Sequence, residues 1–322
     1  MANQYRIFVF GEVLWDMLPG GKKLGGAPAN FAYHVRLRGG DAVVCSKVGN
    51  DELGAEIKSR FVAAGLPLEF LQTDVTSPTG TVQVHLSSLG QPSYQIVENV
   101  AWDRIEAQDS AINWVSGADA VYFGSLALRS KANRNSLDRI LSAAPDKAMK
   151  VFDLNLRAPF YSRNLIEAML EQANVFKFND DELVVLANMF RDRLMPFALD
   201  ENNTIFEAGH DGRLALFPEV KDWLAAFTQL ACLDTIILTC GARGSCLFSS
   251  HGEVSCLPAG KVDTIVDTVG AGDAFTAVCV DGLLRRKPMT VINHAANQYA
   301  AYICTQSGAM PEVPSSLLDS FE

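Results

Sequence analysis

The segment Asp267-Thr-Val-Gly-Ala-Gly-Asp-Ala-Phe275 holds the densest set of chemical options in the chain. Its Gly-Ala-Gly precedes the apolar run Ala274-Phe-Thr-Ala-Val-Cys-Val280, which reads as a helix. A helix start presents unpaired backbone N–H groups and a partial positive charge. Glycines let an anion approach that backbone closely, so Gly270, Ala271 and Gly272 are suited to cradle a phosphoryl group. Asp273, in the first turn, would then lie beside the reacting group and take a proton from an attacking hydroxyl. The same spacing also describes a tight turn with Asp273 as a simple helix cap.

Four weaker signals accompany it. In Gly25-Gly26-Ala-Pro-Ala-Asn30 two glycines bring backbone near a ligand, and Asn30 offers both a donor and an acceptor for hydroxyl groups. The plain alternative is a turn and a helix start with Pro28 in the first turn. Asp16, in Gly11-Glu-Val-Leu-Trp-Asp16, is placed to accept from two hydroxyls, or is an ordinary surface acid. Asn179-Asp-Asp-Glu182 follows an apolar strand-like run. Its two outer residues are spaced to order the waters of a Mg²⁺ ion bridging phosphates. They are equally spaced for a capping box. Leu238-Thr-Cys-Gly-Ala-Arg-Gly244 runs from a strand into a glycine-rich turn of the kind that holds a nucleotide. The chain contains no G-x-x-x-x-G-K-[ST] segment, so P-loop chemistry is not supported.

The elements that must position these residues alternate. Tyr5–Phe10, Ala42–Val48, Ala120–Phe123, Met149–Asp153, Val175–Phe178 and Thr235–Thr239 read as strands. Helices are expected from Asn30 to Arg38, closed by Gly39-Gly40, from Asp51 to Ala64, from about Gly272 to Leu284, and from about Thr290 to Ile303. Such βα alternation predicts a parallel sheet with helical crossovers. The rhythm breaks at 79–98, where Thr81–Ser87 and Ser93–Val97 alternate apolar and polar residues around the turn signal Ser88-Leu-Gly-Gln-Pro92. That predicts an exposed antiparallel hairpin. Its Val82, Val84, Ile96 and Val97 need cover, because a lone hairpin is marginal in water. A mobile lid, and a homodimer formed through it, both follow as expectations. Residues 190–218 carry loop signals and read as a surface excursion. No repeat or low-complexity linker divides the chain, so a single domain over 1–322 is expected.

Bulk composition narrows the function classes. Of 322 residues, 48% are hydrophobic and 20% charged, ordinary for a globular protein. The net charge of −10, with no basic cluster, argues against nucleic acid or anionic membrane as partners. The apolar run at Ile7–Phe10 is too short for a signal peptide, and no stretch reaches the length of a membrane span. The seven cysteines include no C-x-x-C pair and read as reduced thiols of a cytoplasmic protein.

Taken together and in this order, the motifs resemble the ribokinase-like, or PfkB, family of carbohydrate kinases, over nearly the whole chain. The resemblance rests above all on Gly25–Asn30 and Asp267–Asp273, with Gly11–Asp16, Asp153-Leu-Asn-Leu-Arg157, Asn179–Glu182 and Thr239–Gly244 between them. It implies a Rossmann-like α/β/α sandwich with a small β-sheet lid built from 12–24 and 78–101. It implies Asp273 as base, Gly270, Ala271 and Gly272 as anion hole, and Arg157 reaching the transferred phosphoryl. Asp16, Gly26 and Asn30 would bind sugar. Asn179, Thr239, Gly241, Gly244 and Asn297 would lie along ATP. Glu182 would act on Mg²⁺ through water, and a K⁺ site near Asp267 is common in the family. Within the family the chain looks most like the fructokinases, which implies D-fructose and its O6. Two departures separate it from ribokinases, which carry Asn where this chain has Leu14 and Glu where it reads Gly124-Ser-Leu-Ala. A 2-keto-3-deoxygluconate kinase, another sugar or nucleoside kinase, and a non-catalytic regulatory homologue are the alternatives.

Overall fold

The computed structural model describes residues 4–318 apart from 19, 87–91, 198, 200–203 and 209–213. The turn expected at 88–91 and most of the loop signals at 200–203 and 209–212 lie outside the described residues. The chain begins with β1 (Arg6–Phe10), β2 (Leu14–Leu18), β3 (Gly21–Gly25), α1 (Ala27–Leu37), β4 (Asp41–Gly49), α2 (Glu52–Ala63) and β5 (Leu71–Asp74). It continues with β6 (Thr81–Leu86), β7 (Pro92–Ile96), α3 (Asp109–Val115), β8 (Ala120–Gly124), α4 (Lys131–Ala143), β9 (Met149–Asp153) and α5 (Arg163–Leu170). Then come β10 (Val175–Asn179), α6 (Asp180–Met189), β11 (Phe206–Ala208), β12 (Leu214–Leu216), α7 (Pro218–Leu230), β13 (Thr235–Thr239), β14 (Ser245–Ser249) and β15 (Val254–Leu257). Helices α8 (Ala271–Leu284), α9 (Met289–Cys304) and α10 (Ser315–Leu318) end the chain.

One nine-stranded sheet runs β15-β14-β13-β10-β9-β8-β1-β4-β5. From β13 to β5 all neighbours are parallel, and β14 and β15 add an antiparallel edge. Strands buried on both faces need continuous apolar runs. Ile7 to Phe10 and Ile236 to Leu238 are such runs, each residue at most 1% exposed. One face packs on α4, α5 and α7 through Leu137, Ile140, Ile166 and Phe227. The other packs on α1, α8 and α9 through Phe31, Val35, Ala277, Val278 and Ile292. This is the three-layer sandwich that the alternation implies.

The segments expected as a lid form a four-stranded sheet, β3-β2-β6-β7. The predicted hairpin β6–β7 is antiparallel, as its alternation requires. It is joined by a second hairpin, β2–β3, whose β2 runs parallel to β6. Val82 is 7% exposed, and Ile96 and Val97 pack on the main core, so the sheet covers these apolar residues at its root. The excursion at 190–218 is more than surface loop. Its strands β11 and β12 form a hairpin that buries Ile205, Phe206 and Leu216 in the core. With three residues in each strand, no alternation was long enough to read.

Candidate active site

Helices α1 and α8 lie side by side on one face of the sheet with their N-termini at the same end. A polar pair marks each end of their seam. Asn30 Nδ2 donates to Asp273 Oδ2 at 2.8 Å, and two turns further along both helices Arg38 pairs with Asp281 at 3.0 Å. Between them His34 is fully buried, bonded to Tyr299 and to the Ala309 carbonyl, and burial pushes its pKa down to about 4. A neutral imidazole therefore packs this seam.

The glycines at both helix starts are required by space as well as by backbone angle. Gly270 caps α8 with φ 80°, and a Cβ there would meet Ala309 Cβ at 2.4 Å. No side chain caps α8; Ala271 N donates to the Thr268 carbonyl at 3.3 Å, which leaves the N–H groups of Gly272 and Asp273 for an anion. Gly26 caps α1 with φ 113°, and a Cβ there would lie 2.5 Å from the Glu12 carbonyl. A Cβ on Gly25 would lie 2.5 Å from Asp16 Oδ2. This glycine pair lets the chain pass over Glu12 and Asp16, while Pro28 occupies the first turn of α1. The turn and helix-start reading of that motif is what these contacts show.

The site is rich in acid. Asp273 lies deep in protein but keeps an accessible edge. Burial pushes its carboxyl up to about 7, helped by the charge of Asp153 and opposed by the Asn30 amide, Lys177 and Arg157. Burial also pushes Glu12 up to about 7, and the charges of Asp273 and Asp153 add to this. Glu12 is 3% exposed, and its Oε2 has no hydrogen-bond partner. The Oδ1 of Asn30 is likewise buried and unpartnered. Two orphaned acceptors beside a base are what a polyol's hydroxyls would satisfy. Asp16, on the lid strand β2, is half-buried, and desolvation raises its pKa against the pull of Arg157.

Beneath these groups lies a buried charge pair. Lys177 Nζ is 3.1 Å from Asp153 Oδ1, and Tyr122 donates to Asp153 Oδ2 at 3.0 Å. Burial works against the Lys177 ammonium, but Asp153, Glu182 and Asp273 together outweigh it and raise its pKa. The Nζ lies 3.7 Å from where a Cβ on Gly272 would stand, so this cation underlies the start of α8. Arg157 is exposed at the rim, and its charge acts on Glu12, Asp16 and Asp273.

The remaining expected residues fall along the sheet's edge toward β14. Asn179 and Glu182 form the capping box: Asn179 Oδ1 accepts from Glu182 N at 2.8 Å, and Glu182 Oε2 accepts from Asn179 N at 2.9 Å. Glu182 Oε1 also accepts from Leu156 N at 2.6 Å, tying α6 to the loop that carries Arg157. Burial raises the Glu182 pKa, against the Lys177 charge and these N–H groups. Thr239 ends β13, and the turn after it holds Gly241 at φ 54° and Gly244 at φ 115°. Arg243 in that turn pairs with Asp180. Asn297 is buried, its amide bonded to Ser245 Oγ at 2.7 Å and to the Asn293 carbonyl at 2.9 Å. It braces α9 against β14 from beneath this turn. Asp267 holds a side-chain ammonium, Lys23 Nζ at 2.8 Å, which links the lid strand β3 to the loop before α8. Among the described residues no cluster of three or more His, Cys, Asp and Glu side chains is arranged to hold a metal by itself.

Glu12 and Lys177 were missed in the sequence. Lys177 did leave a signal, as the one charge within the otherwise apolar run Val175–Phe178. Glu12 likewise interrupts an apolar stretch between Gly11 and Val13.

The model of the pfkB family carbohydrate kinases matches residues 2–316. The chain belongs to this family. Among curated carbohydrate kinases of the family, a fructokinase of Vibrio alginolyticus is 27% identical, covering 96% of each chain. A fructokinase of Klebsiella pneumoniae is 26% identical over the same shares. Among solved folds, the fructokinase of Xylella fastidiosa with bound ATP superposes with a TM-score of 0.78 at 21% identity, covering 98% of both chains. The fructokinase of Vibrio cholerae O395 with fructose, ADP and calcium ion bound gives 0.76 at 21% identity over 99% of both. The ribokinase-like fold and carbohydrate kinase class are therefore those of this chain. No described helix is long and apolar enough to cross a membrane.

Proposed function

We propose that this pfkB-family chain is an ATP-dependent, cytoplasmic kinase of a small neutral sugar, with D-fructose preferred and O6 the acceptor. The observation that carries the reading is Asp273: a first-turn carboxyl bonded to Asn30, beside a helix start left without a side-chain cap. Its pKa near 7 suits a base that must take a proton at neutral pH. Asp16, Gly26 and Asn30 line the sugar side, and the orphaned oxygens of Glu12 and Asn30 are free to meet hydroxyls. As Asp273 takes the hydroxyl proton, the sugar oxygen bonds to the γ-phosphorus, the bond from that phosphorus to the bridging oxygen breaks, and ADP leaves. The N–H groups at Gly270–Gly272 and the charge of Lys177 stabilise the negative charge on the transferred group. Arg157 reaches it from the rim.

ATP would lie over Thr239, Gly241 and Gly244, with Asn297 supporting that turn. The exposed Ile265, Val266 and Val269 before α8 offer an apolar surface for its base. The residues fit a Mg²⁺ held mainly by phosphates: the described residues form no protein cage for it, and each Glu182 oxygen keeps a lone pair for a water on the metal. Bound with ATP, Mg²⁺ neutralises phosphate charge. A K⁺ held near Asp267 would compete there with the Lys23 ammonium.

The neutral sugar is argued from charge. The cation at the rim, Arg157, already faces Glu12, Asp16 and Asp273, so a carboxylate on the substrate would meet net negative charge. The exposure of Arg157 favours 2-keto-3-deoxygluconate as the second reading. The test is kcat/KM for D-fructose, 2-keto-3-deoxygluconate and ribose under identical Mg·ATP and KCl. Fructose is expected to lead; a clear preference for the acid would overturn the assignment.

A further inference from the structure

A cavity of about 820 Å³ opens on the other side of the sheet from α8. The helices beginning there, α4 and α5, pack on the face opposite the one α8 covers. None of the residues assigned above to sugar, phosphoryl or nucleotide lines it.

Three features of its wall favour an anion. The first is a convergence of helix starts. The N-cap residues of both α4 and α5, Ser130 and Ser162, line the cavity. No side chain caps α4, so its first N–H groups carry the helix's partial positive charge unshared. The second is Arg129. Its guanidinium is 7% exposed and lies between Trp102 at 4.0 Å and Phe160 at 4.7 Å. Its Nε and Nη2 bond to Asp103 and to the Val97 carbonyl, but its Nη1 is buried with no partner. Leaving such a donor unmet is costly, so buried donors are normally satisfied. The third is the balance of charge. Arg104 and Arg134 also line the cavity, bonded to Thr76 Oγ1 and to backbone carbonyls, and neither is paired with a carboxylate among the described residues. Of the two acids in the wall, Asp103 is taken by Arg129, which leaves Glu98.

The volume far exceeds what phosphate alone would fill and lies in the range of small-molecule pockets. Tyr161 and Asn164 add hydroxyl and amide groups suited to a polyol. We propose that this cavity is a second ligand site that takes a phosphate monoester of a small sugar, its phosphate at the starts of α4 and α5 among Arg104, Arg129 and Arg134.

The test is binding to the full chain by titration calorimetry and thermal shift, with inorganic phosphate, ribose 5-phosphate and uncharged ribose as probes. Arg129 is the obvious position, but its loss would strand Asp103 and threaten folding. Ala132→Asp is the better variant. Ala132 is exposed on the cavity wall in the first turn of α4, where an acid suits the helix but repels an anion. Arg104→Gln is the second variant. Both leave the start of α8 intact, so any anion bound there cancels in the comparison. Ribose 5-phosphate should bind the parent more tightly than phosphate, and any ribose bound at the sugar site should be the same in parent and variants. Ala132→Asp should weaken both anions at least about tenfold, the size of one lost charge-assisted hydrogen bond. Sugar phosphorylation should be unchanged. Equal anion binding in parent and both variants, or no saturable binding up to about 10 mM, would overturn the site. Equal affinity for phosphate and ribose 5-phosphate would overturn the sugar-phosphate assignment.

Discussion

Helices α6 and α8 both carry an acid at the third helical position, and the molecule uses the two acids in opposite ways. At α6 the cap is Asn179, whose side chain accepts from Glu182 N while Glu182 reaches back to Asn179 N. The helix start closes on itself. At α8 the cap is Gly270, in left-handed backbone with no side chain to offer. No side chain there meets the N–H groups, and Asp273 turns sideways to Asn30 on a neighbouring helix. The residue at the cap therefore decides whether a first-turn acid serves its own helix or reaches across to a neighbouring one. The cost shows in the acids themselves: Glu182 is held by two backbone N–H groups, whereas Asp273 has one amide and a pKa near 7.

The most severe way to break this comparison is Asp273→Asn. It keeps the shape and the neighbour but removes the proton acceptor. Turnover should fall on the order of 10²–10⁴-fold, with nucleotide binding largely kept. Near-normal turnover in a folded variant would reduce α8 to a helix start like any other.

A gentler probe leaves the sequence untouched. If Asp273 is the base, kcat/KM should fall about tenfold per pH unit below pH 7 and level off above it. A profile flat down to pH 5 would mean that the carboxyl is not held near 7, or is not the base.

Glu182→Gln tests the other helix. An amide can satisfy one of the N–H groups of Asn179 and Leu156, but it turns a donor toward the other. Stability should drop by roughly 1–2 kcal/mol in denaturant unfolding. The Mg²⁺ needed for half-maximal activity should also rise severalfold while the KM for sugar holds. Superimposed Mg²⁺ curves would make α6 purely self-contained and sharpen the contrast with α8.

Much of this arrangement was legible in the sequence because glycine marks both functional helix starts. Gly25-Gly26 and Gly270-Ala-Gly272 stand out by type, and Asn30 and Asp273 follow them at fixed distances. The central strands were legible for a similar reason, since burial on both faces writes an unbroken apolar run. What escaped notice has no spacing of its own. Strands β14 and β15 continue from the Gly244 turn as Ser-Cys-Leu-Phe-Ser and Val-Ser-Cys-Leu, which give neither alternation nor a long apolar run. The partnership of Lys177 and Asp153 joins adjacent strands, and nothing in a single sequence pairs residues across such a gap.

Glu12 offers the finest test, because it shares the environment of Asp273 but takes no proton from substrate. Its pKa rises from 4.5 to about 7 through burial, so the folded chain holds a proton there that the unfolded chain releases above about pH 4.5. The sign follows from linkage: more protons bound in the folded state means stability that falls as pH rises from about 4.5 through 7. Above that window the buried carboxylate is a net cost, with an Oε2 that no protein group meets. Glu12→Gln removes the ionisation and keeps the shape. Its unfolding free energy should match or lie slightly below the parent's at pH 4.5 and exceed it at pH 8, by an amount on the order of 1 kcal/mol. The KM for sugar should rise, since a hydroxyl acceptor is exchanged for an amide. A gain in stability without a change in KM would leave Glu12 a buried acid with no part in binding. No gain at pH 8 would mean that the strain at this end of the molecule is confined to Asp273.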